Sequence, residues 1–174
     1  MGKMKKTIST KPTAANITNI MTLLTDTPVK LASFSDGLSD EQLCRPLGSG
    51  ERSFTEDLAH LLNCEARSSE AIYLALLADE PVFVNIHPER QLGKLLRYDR
   101  FSVSELLAYF TFRRTVLLRV LTSLTDEQWS RTIREEGKKR QESVYWQARS
   151  LALHELDHLS DIESKLGEFH ESVD

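Results

Sequence analysis

The sequence predicts an all-α fold, a four-helix bundle of up-down type with short extra helices in its connections. Three observations carry that expectation. Four long segments space their apolar residues by three and four, the period of an amphipathic helix. Ser/Thr-x-x-Glu/Gln capping boxes recur at the starts of helical patterns. The 174 residues include only seven glycines and five prolines, too few for the many tight turns of an all-β chain.

Composition narrows the class further. Forty per cent of residues are hydrophobic and 28% charged, the mixture of a globular domain long enough to bury a full core. The net charge is -4, with Lys and Arg interspersed among Asp and Glu, which argues against nucleic acid as a partner. No stretch approaches the ~20 apolar residues of a membrane span. The two cysteines, Cys44 and Cys64, form neither a CxxC nor a disulfide framework, so a reducing cytoplasm is the expected setting. Residues 1–13 are basic and polar and read as a flexible N-terminal tail, leaving residues 14–170 as the domain.

The first helix spans about Ile17 to Leu38, with Ile17, Ile20, Met21, Leu24, Leu31, Phe34 and Leu38 on its stripe. Pro28 leaves two alternatives open: a fresh start capped by Thr27, or a kink in one continuous helix. Ser39-Asp40-Glu41-Gln42 is a capping box for a short helix, and residues 47–52, with two glycines, are a loop. Ser53-Phe54-Thr55-Glu56 opens a helix that runs to about Ala78, ahead of Pro81. Residues 80–101 are irregular and long for a bundle connection, with a short helix expected within Glu89 to Tyr98. Ser102-Val103-Ser104-Glu105 opens the clearest stripe: Leu106, Leu107, Phe110, Leu117, Leu121 and Leu124. LTDEQW at 124–129 echoes LSDEQL at 38–43, each a short capped turn after a long helix. Arg131 to Gln141 is highly charged and reads as a solvated loop. The last helix spans about Ser143 to Gly167.

Five histidines are present, and two of them, His154 and His158, form HELDH on that last helix. A spacing of four sets them about 40° apart on one face, one turn up, close enough to share one ion. The letters match H-E-x-x-H, but the zinc-protease reading needs a third ligand downstream, where only His170 follows in the tail. His60 lies mid-helix on a strip with Asp57, Cys64 and Ala71. That strip borders either a cavity or solvent, and periodicity alone does not bring His60 to the other two. His87, in the proline-bearing connection, reads as exposed.

Taken together, Thr27-Pro28 in the first helix, LSDEQL (38–43), LAHL (58–61), ELLAYFTFRR (105–114) and HELDHL (154–159) resemble the DinB-like superfamily of four-helix-bundle proteins. The resemblance covers about residues 17–168. It implies that His60, His154 and His158 hold a divalent metal ion. Many relatives have a tryptophan where this chain has Ser53-Phe54, and Phe54 is expected to fill the same apolar role.

Three imidazoles with an open fourth position suit a catalytic rather than a closed structural site, and zinc or nickel suits imidazole ligands. The implied activity is that of a metal-dependent S-transferase or hydrolase acting on a small-molecule substrate. A low-molecular-weight thiol is a candidate cofactor in the first case. The alternative is a metal- or ligand-binding bundle without catalysis. Asp57, Asp157 and Asp161 are candidates to bond the outer nitrogens of the ligating rings, against the alternative of solvated surface charges. Cys64 is a candidate fourth ligand or a small buried thiol. Glu155 is a candidate general base or a buried interface residue. Arg113 and Arg114 could hold an acidic substrate group or bridge to a neighbouring helix. Apolar residues on more than one side of the second helix (Leu62, Tyr73, Leu74, Leu77) suggest a homodimer.

Overall fold

The computed structural model describes residues 8–84 and 86–173, the side chains of Glu89 and residues 168–173 excepted. In chain order the elements are α1 (Ala14–Ser35), α2 (Asp40–Leu43), α3 (Phe54–Leu77), β1 (Val82–Phe83), α4 (Lys94–Leu96), α5 (Val103–Thr122), α6 (Asp126–Ser130), β2 (Thr132–Glu135), β3 (Gln141–Ser143) and α7 (Val144–Val173). A π-helical turn, Pro88–Gly93, precedes α4, and a 3-10 turn, Tyr98–Arg100, follows it. The predicted bundle is formed by α1, α3, α5 and α7, with α2, α4 and α6 as the short extra helices.

Caps define the starts. Ser39, Ser53, Ser102 and Thr125 each accept from the backbone N–H three residues on, while Gln42, Glu56, Glu105 and Gln128 reach back to the cap N–H. Each reciprocal pair satisfies two donors that a helix start would otherwise leave open. The LSDEQL and LTDEQW echo is structural: both are single capped turns, and they bury Leu43 and Trp129 respectively.

Two apolar clusters fill the bundle. One gathers Ile20 and Leu24 of α1, Ile72 and Ala75 of α3, Leu117 and Leu121 of α5, and Ala148 and Leu151 of α7, with Trp129. The other gathers Leu31 of α1, Leu58, Leu61 and Leu62 of α3, Leu106 and Phe110 of α5, and Leu159 and Ile162 of α7, with Leu43 and Phe54. Chain order within each cluster gives the helix directions: α1 and α7 run from the first cluster to the second, and α3 and α5 run back. The order of directions is therefore up, down, down, up, and not the strict up-down alternation expected from the sequence. Because α3 and α5 are parallel, residues 78–102 must return the length of the bundle, which is why that connection is long.

Between the clusters, every long helix contributes a polar group. Arg114 of α5, 1% exposed, donates to Glu155 of α7 (2.9 and 2.5 Å), to Glu65 of α3 (3.2 Å) and to the Leu24 carbonyl of α1 (2.7 Å). Pro28 explains the last bond. It lies inside the continuous α1 and has no N–H to give to the carbonyl four residues back, which is that of Leu24. The guanidinium fills the vacancy, so α1 is one continuous helix and no fresh helix starts at Thr27. Thr27 instead donates to the Leu23 carbonyl at 3.0 Å.

Three further expectations are corrected. Residues 131–141 are not simply a solvated loop. β2 and β3 form a hairpin around Gly137 (φ 78°), and β1 adds in parallel to β2. These strands are too short to show an alternating pattern, and Ile133 alone is buried in β2. Arg131 at the hairpin's start satisfies the end of α3, donating to the carbonyls of Ala75 (2.7 Å) and Ala78 (2.6 Å). Second, the packed region begins before residue 14. Ile8 is 1% exposed, and the Ile8 and Ser9 carbonyls accept from Arg149 and Tyr145 of α7. A single apolar residue in a polar run has no period to reveal it. Residues 1–7 of the expected tail lie outside the described residues. Third, the second apolar side expected for α3 is mostly core: Leu62 is wholly buried, Tyr73 and Leu74 are half-buried, and Leu77 alone is exposed.

Candidate metal centre

His60 stands on α3 two turns past the Ser53 cap, between core residues Leu58 and Leu61 but turned off their stripe. His154 and His158 stand one turn apart on α7, flanking the buried Glu155 and Leu159. The antiparallel packing of α3 against α7 brings the three together. His60 Nε2 lies 3.1 Å from His154 Nε2. The ring centroids are 5.2 Å (60–154), 4.7 Å (60–158) and 4.5 Å (154–158) apart. One nitrogen from each ring falls within 4.8 Å of the other two, so small side-chain rotations would bring all three to the bond length of about 2 Å that an imidazole–metal site needs.

Their electrostatics suit ligation. Burial holds His154 below the usual imidazole range, with His60 adding to the effect. Burial, then the His154 and His60 rings, push His158 down to about 4. Both rings are therefore neutral near pH 7, the form that offers a lone pair.

The other candidates sort clearly. Asp57 is buried and lies 3.5 Å from Arg52, and burial pushes its carboxyl up against the pull of that arginine. Asp157 is exposed, and Asp161 pairs with Lys165 at 2.5 Å, as solvated helix charges do. Cys64 Sγ lies 3.6 Å from His60 Nε2. Glu155 is fully buried against Arg114, so it turns away from the histidines into the bundle, and the general-base alternative is set aside. Arg114 is likewise an interhelical bridge rather than a substrate contact. Arg113, half-buried, lies 3.7 Å from Glu65 and over the Tyr109 ring. His87 is half-buried rather than exposed, and its Nδ1 accepts from the Arg90 N–H at 3.3 Å. The His170 side chain lies outside the described residues.

Two clefts flank the centre. One, of about 470 Å3, opens beside His60 between Arg52 with the Glu56, Ala59, Asn63 face of α3 and the segment from Gly93 to Asp99. The other, of about 360 Å3, borders Cys64 and His154 and is walled by Trp146 and the hairpin residues Glu135 and Lys138. Sequence reasoning missed Glu65 and Asn63. Glu65 was detectable, since it falls on the helical stripe of Leu58, Leu61, Leu62 and Ile72, where a carboxylate is out of place unless paired. Asn63 carries no such signal, because its surroundings come from the distant segment around Gly93.

Comparison with known proteins agrees with this architecture. The chain is similar to YfiT from Bacillus subtilis, described as a "probable metal-dependent hydrolase with an unusual four-helix bundle topology", at 18% identity and a TM-score of 0.83 over 98% of this chain and 95% of that one. It is also similar to a Streptococcus pneumoniae protein at 15% identity and a TM-score of 0.62, over 95% and 94% of the two chains. Identities this low speak to the fold alone. No curated protein matches the chain. The model of the DinB superfamily matches residues 23–162, from α1 into α7 and across all three histidines, and the chain belongs to that superfamily.

Proposed function

We propose that this protein is a metal-dependent enzyme, a hydrolase or thiol S-transferase, in which His60, His154 and His158 hold one divalent ion. The observation that carries the reading is the convergence of three imidazole nitrogens from two helices within 4.8 Å. The donor set fits zinc or nickel, and three ligands leave a coordination position for a reactant. A divalent ion held there lowers the pKa of a bound water or thiol toward neutrality. The chain's own part is to keep His154 and His158 unprotonated, to fix α3 against α7 through Arg114, and to offer a cleft on each side for a small-molecule substrate. The likeness to YfiT favours hydrolysis over thiol transfer.

The test is metal analysis of protein purified without chelator, beside a His154→Ala/His158→Ala double variant. About one equivalent of zinc or nickel in the wild type and none in the variant is the expected result. No metal in either, after both ions have been offered, sinks the assignment.

A second reading has its own observation. Cys64 Sγ, 3.6 Å from His60 Nε2, is near enough to close the fourth position after a side-chain rotation, which would make a binding site without catalysis. Cys64→Ala separates the two. Metal affinity holds in the enzyme reading and falls about tenfold or more if the thiol is a ligand.

A further inference from the structure

The two clefts beside the histidines differ in how their polar groups are satisfied. In the cleft beside His154 the carboxylates already have hydrogen-bond partners. Glu135 accepts from Arg67 (2.7 Å) and Lys138 (2.8 Å), and Glu142 accepts from Gln147 (2.8 Å). The cleft beside His60 is not so closed. Asn63, 4% exposed, has its Oδ1 buried with no hydrogen-bond partner among the described residues. Gly93 approaches this amide from the opposite wall: a Cβ there would stand 3.2 Å from Asn63 Nδ2. A buried carbonyl oxygen without a donor has lost its hydration with nothing in return, so a site that keeps one gains when a ligand supplies the donor. On the same wall Lys94 is exposed, with no carboxylate paired to it among the described residues, while Arg97 is held by Asp99 (2.8 and 2.9 Å).

We propose that the cleft between α3 and residues 93–99 is the substrate-binding side of the three-histidine centre, and that it takes a small molecule carrying both an anionic group, met by Lys94, and an N–H or O–H donor, met by Asn63 Oδ1. This rests on the metal-centre reading above, since His60 is the wall residue that links the cleft to the ion. The cleft beside His154, whose carboxylates already have partners, is left as the side away from substrate. Gly93 keeps this wall clear, since a side chain there would press on the amide that reads the donor.

The test uses the full chain, 15N-labelled, with zinc and without, and three probes. N-acetylglycine has both the carboxylate and the N–H. N-acetylsarcosine lacks the N–H, and N-acetylglycine methyl ester lacks the anion. The Asn63 side-chain amide signals, identified by their loss in Asn63→Leu, should shift saturably with N-acetylglycine. This probe should bind about fivefold tighter than either analogue, the size of one hydrogen bond or one exposed charge contact. Asn63→Leu should erase its advantage over N-acetylsarcosine only, and Lys94→Ala its advantage over the ester only. Unchanged far-ultraviolet circular dichroism in both variants excludes misfolding as the cause. The proposal is overturned if N-acetylglycine fails to saturate, or if the three probes bind alike. Should the full pattern appear while zinc fails to bind, the cleft stands and the metal centre falls. Should zinc bind at one equivalent while the probes bind alike, the metal centre stands and the cleft falls.

Discussion

The two apolar clusters do the same job with different side chains. Where α3 meets α7 in the first cluster, the buried residues include Ala71, Ala75, Ala148 and Ala152. In the second, the same two helices present Leu58, Leu61, Leu62, Leu159, Ile162 and Leu166. Interaxial distance follows the size of the side chains at the contact, so alanines draw the helices together and leucines hold them apart. His60 and His158 lie level with the leucine end, and His154 lies at the boundary. We expect the leucine end to be the wide one, with room for three imidazoles in one seam, and the alanine end, which also buries Ile72 and Leu151, to be the narrow one that locks the pair. Arg114 and its two carboxylates mark the division.

The largest expected effect comes from the divider itself. Arg114→Ala leaves Glu155 buried without its cation and Glu65 with only the more distant Arg113, and should cost about 3–5 kcal/mol in urea unfolding. A triple variant, Arg114→Met with Glu65→Leu and Glu155→Leu, would test the layer as a whole. It should restore most of the stability while weakening metal binding, if the layer's role is to set the helix register. Next are the clusters. Leu61→Ala at the wide end should cost about 2–5 kcal/mol through the cavity it leaves. Ala148→Leu at the narrow end should cost about 1–3 kcal/mol by overpacking. If Ala148→Leu is neutral, the narrow end is not narrow and the comparison fails.

Acid titration of the metal-free protein should divide the molecule in the same way. His158 is held near 4 in the fold against an ordinary 6.5. The unfolded chain binds its proton first, so stability is lost as pH falls from about 6.5 to 4. Glu65 is raised to about 7, chiefly by burial. Here the folded chain binds the proton first, so stability is lost as pH rises from about 4.5 to 7. The two oppose each other across one window. Glu65→Gln should therefore steepen the acid loss, and His158→Gln should flatten it, with His154 still contributing, both read from urea midpoints against pH. The smallest effects belong to the paired short helices. Ser39→Ala and Thr125→Ala should each cost about 1 kcal/mol, since each removes one half of a capping box.

Much of this was legible in the residues, for identifiable reasons. Helix starts were readable because a capping box is local chemistry, complete within four residues. The His154–His158 pair was readable because its spacing is set within one helix. His60 was not, since a helical wheel gives a direction but not the neighbour that fills it, and only the family resemblance joined it to the pair. The strands escaped because two to four residues cannot display a period, and β1 pairs with β2, far along the chain. Pro28 carries two meanings as a sequence feature. Arg114, remote in the chain, decides between them by donating to the Leu24 carbonyl that the proline leaves open.

Since α3 and α5 run in parallel, the chain must cross the bundle between them, and the crossing segment supplies Gly93, Lys94, Arg97, Tyr98 and Asp99 to the cleft beside His60. The three histidines and the cleft wall are thereby divided between two kinds of chain: the histidines belong to long helices committed to the core, while the facing wall belongs to a link that bears little of it. Descendants of such a protein can exchange that wall, residue by residue or wholesale, and acquire new molecular appetites while the histidine cluster is inherited intact.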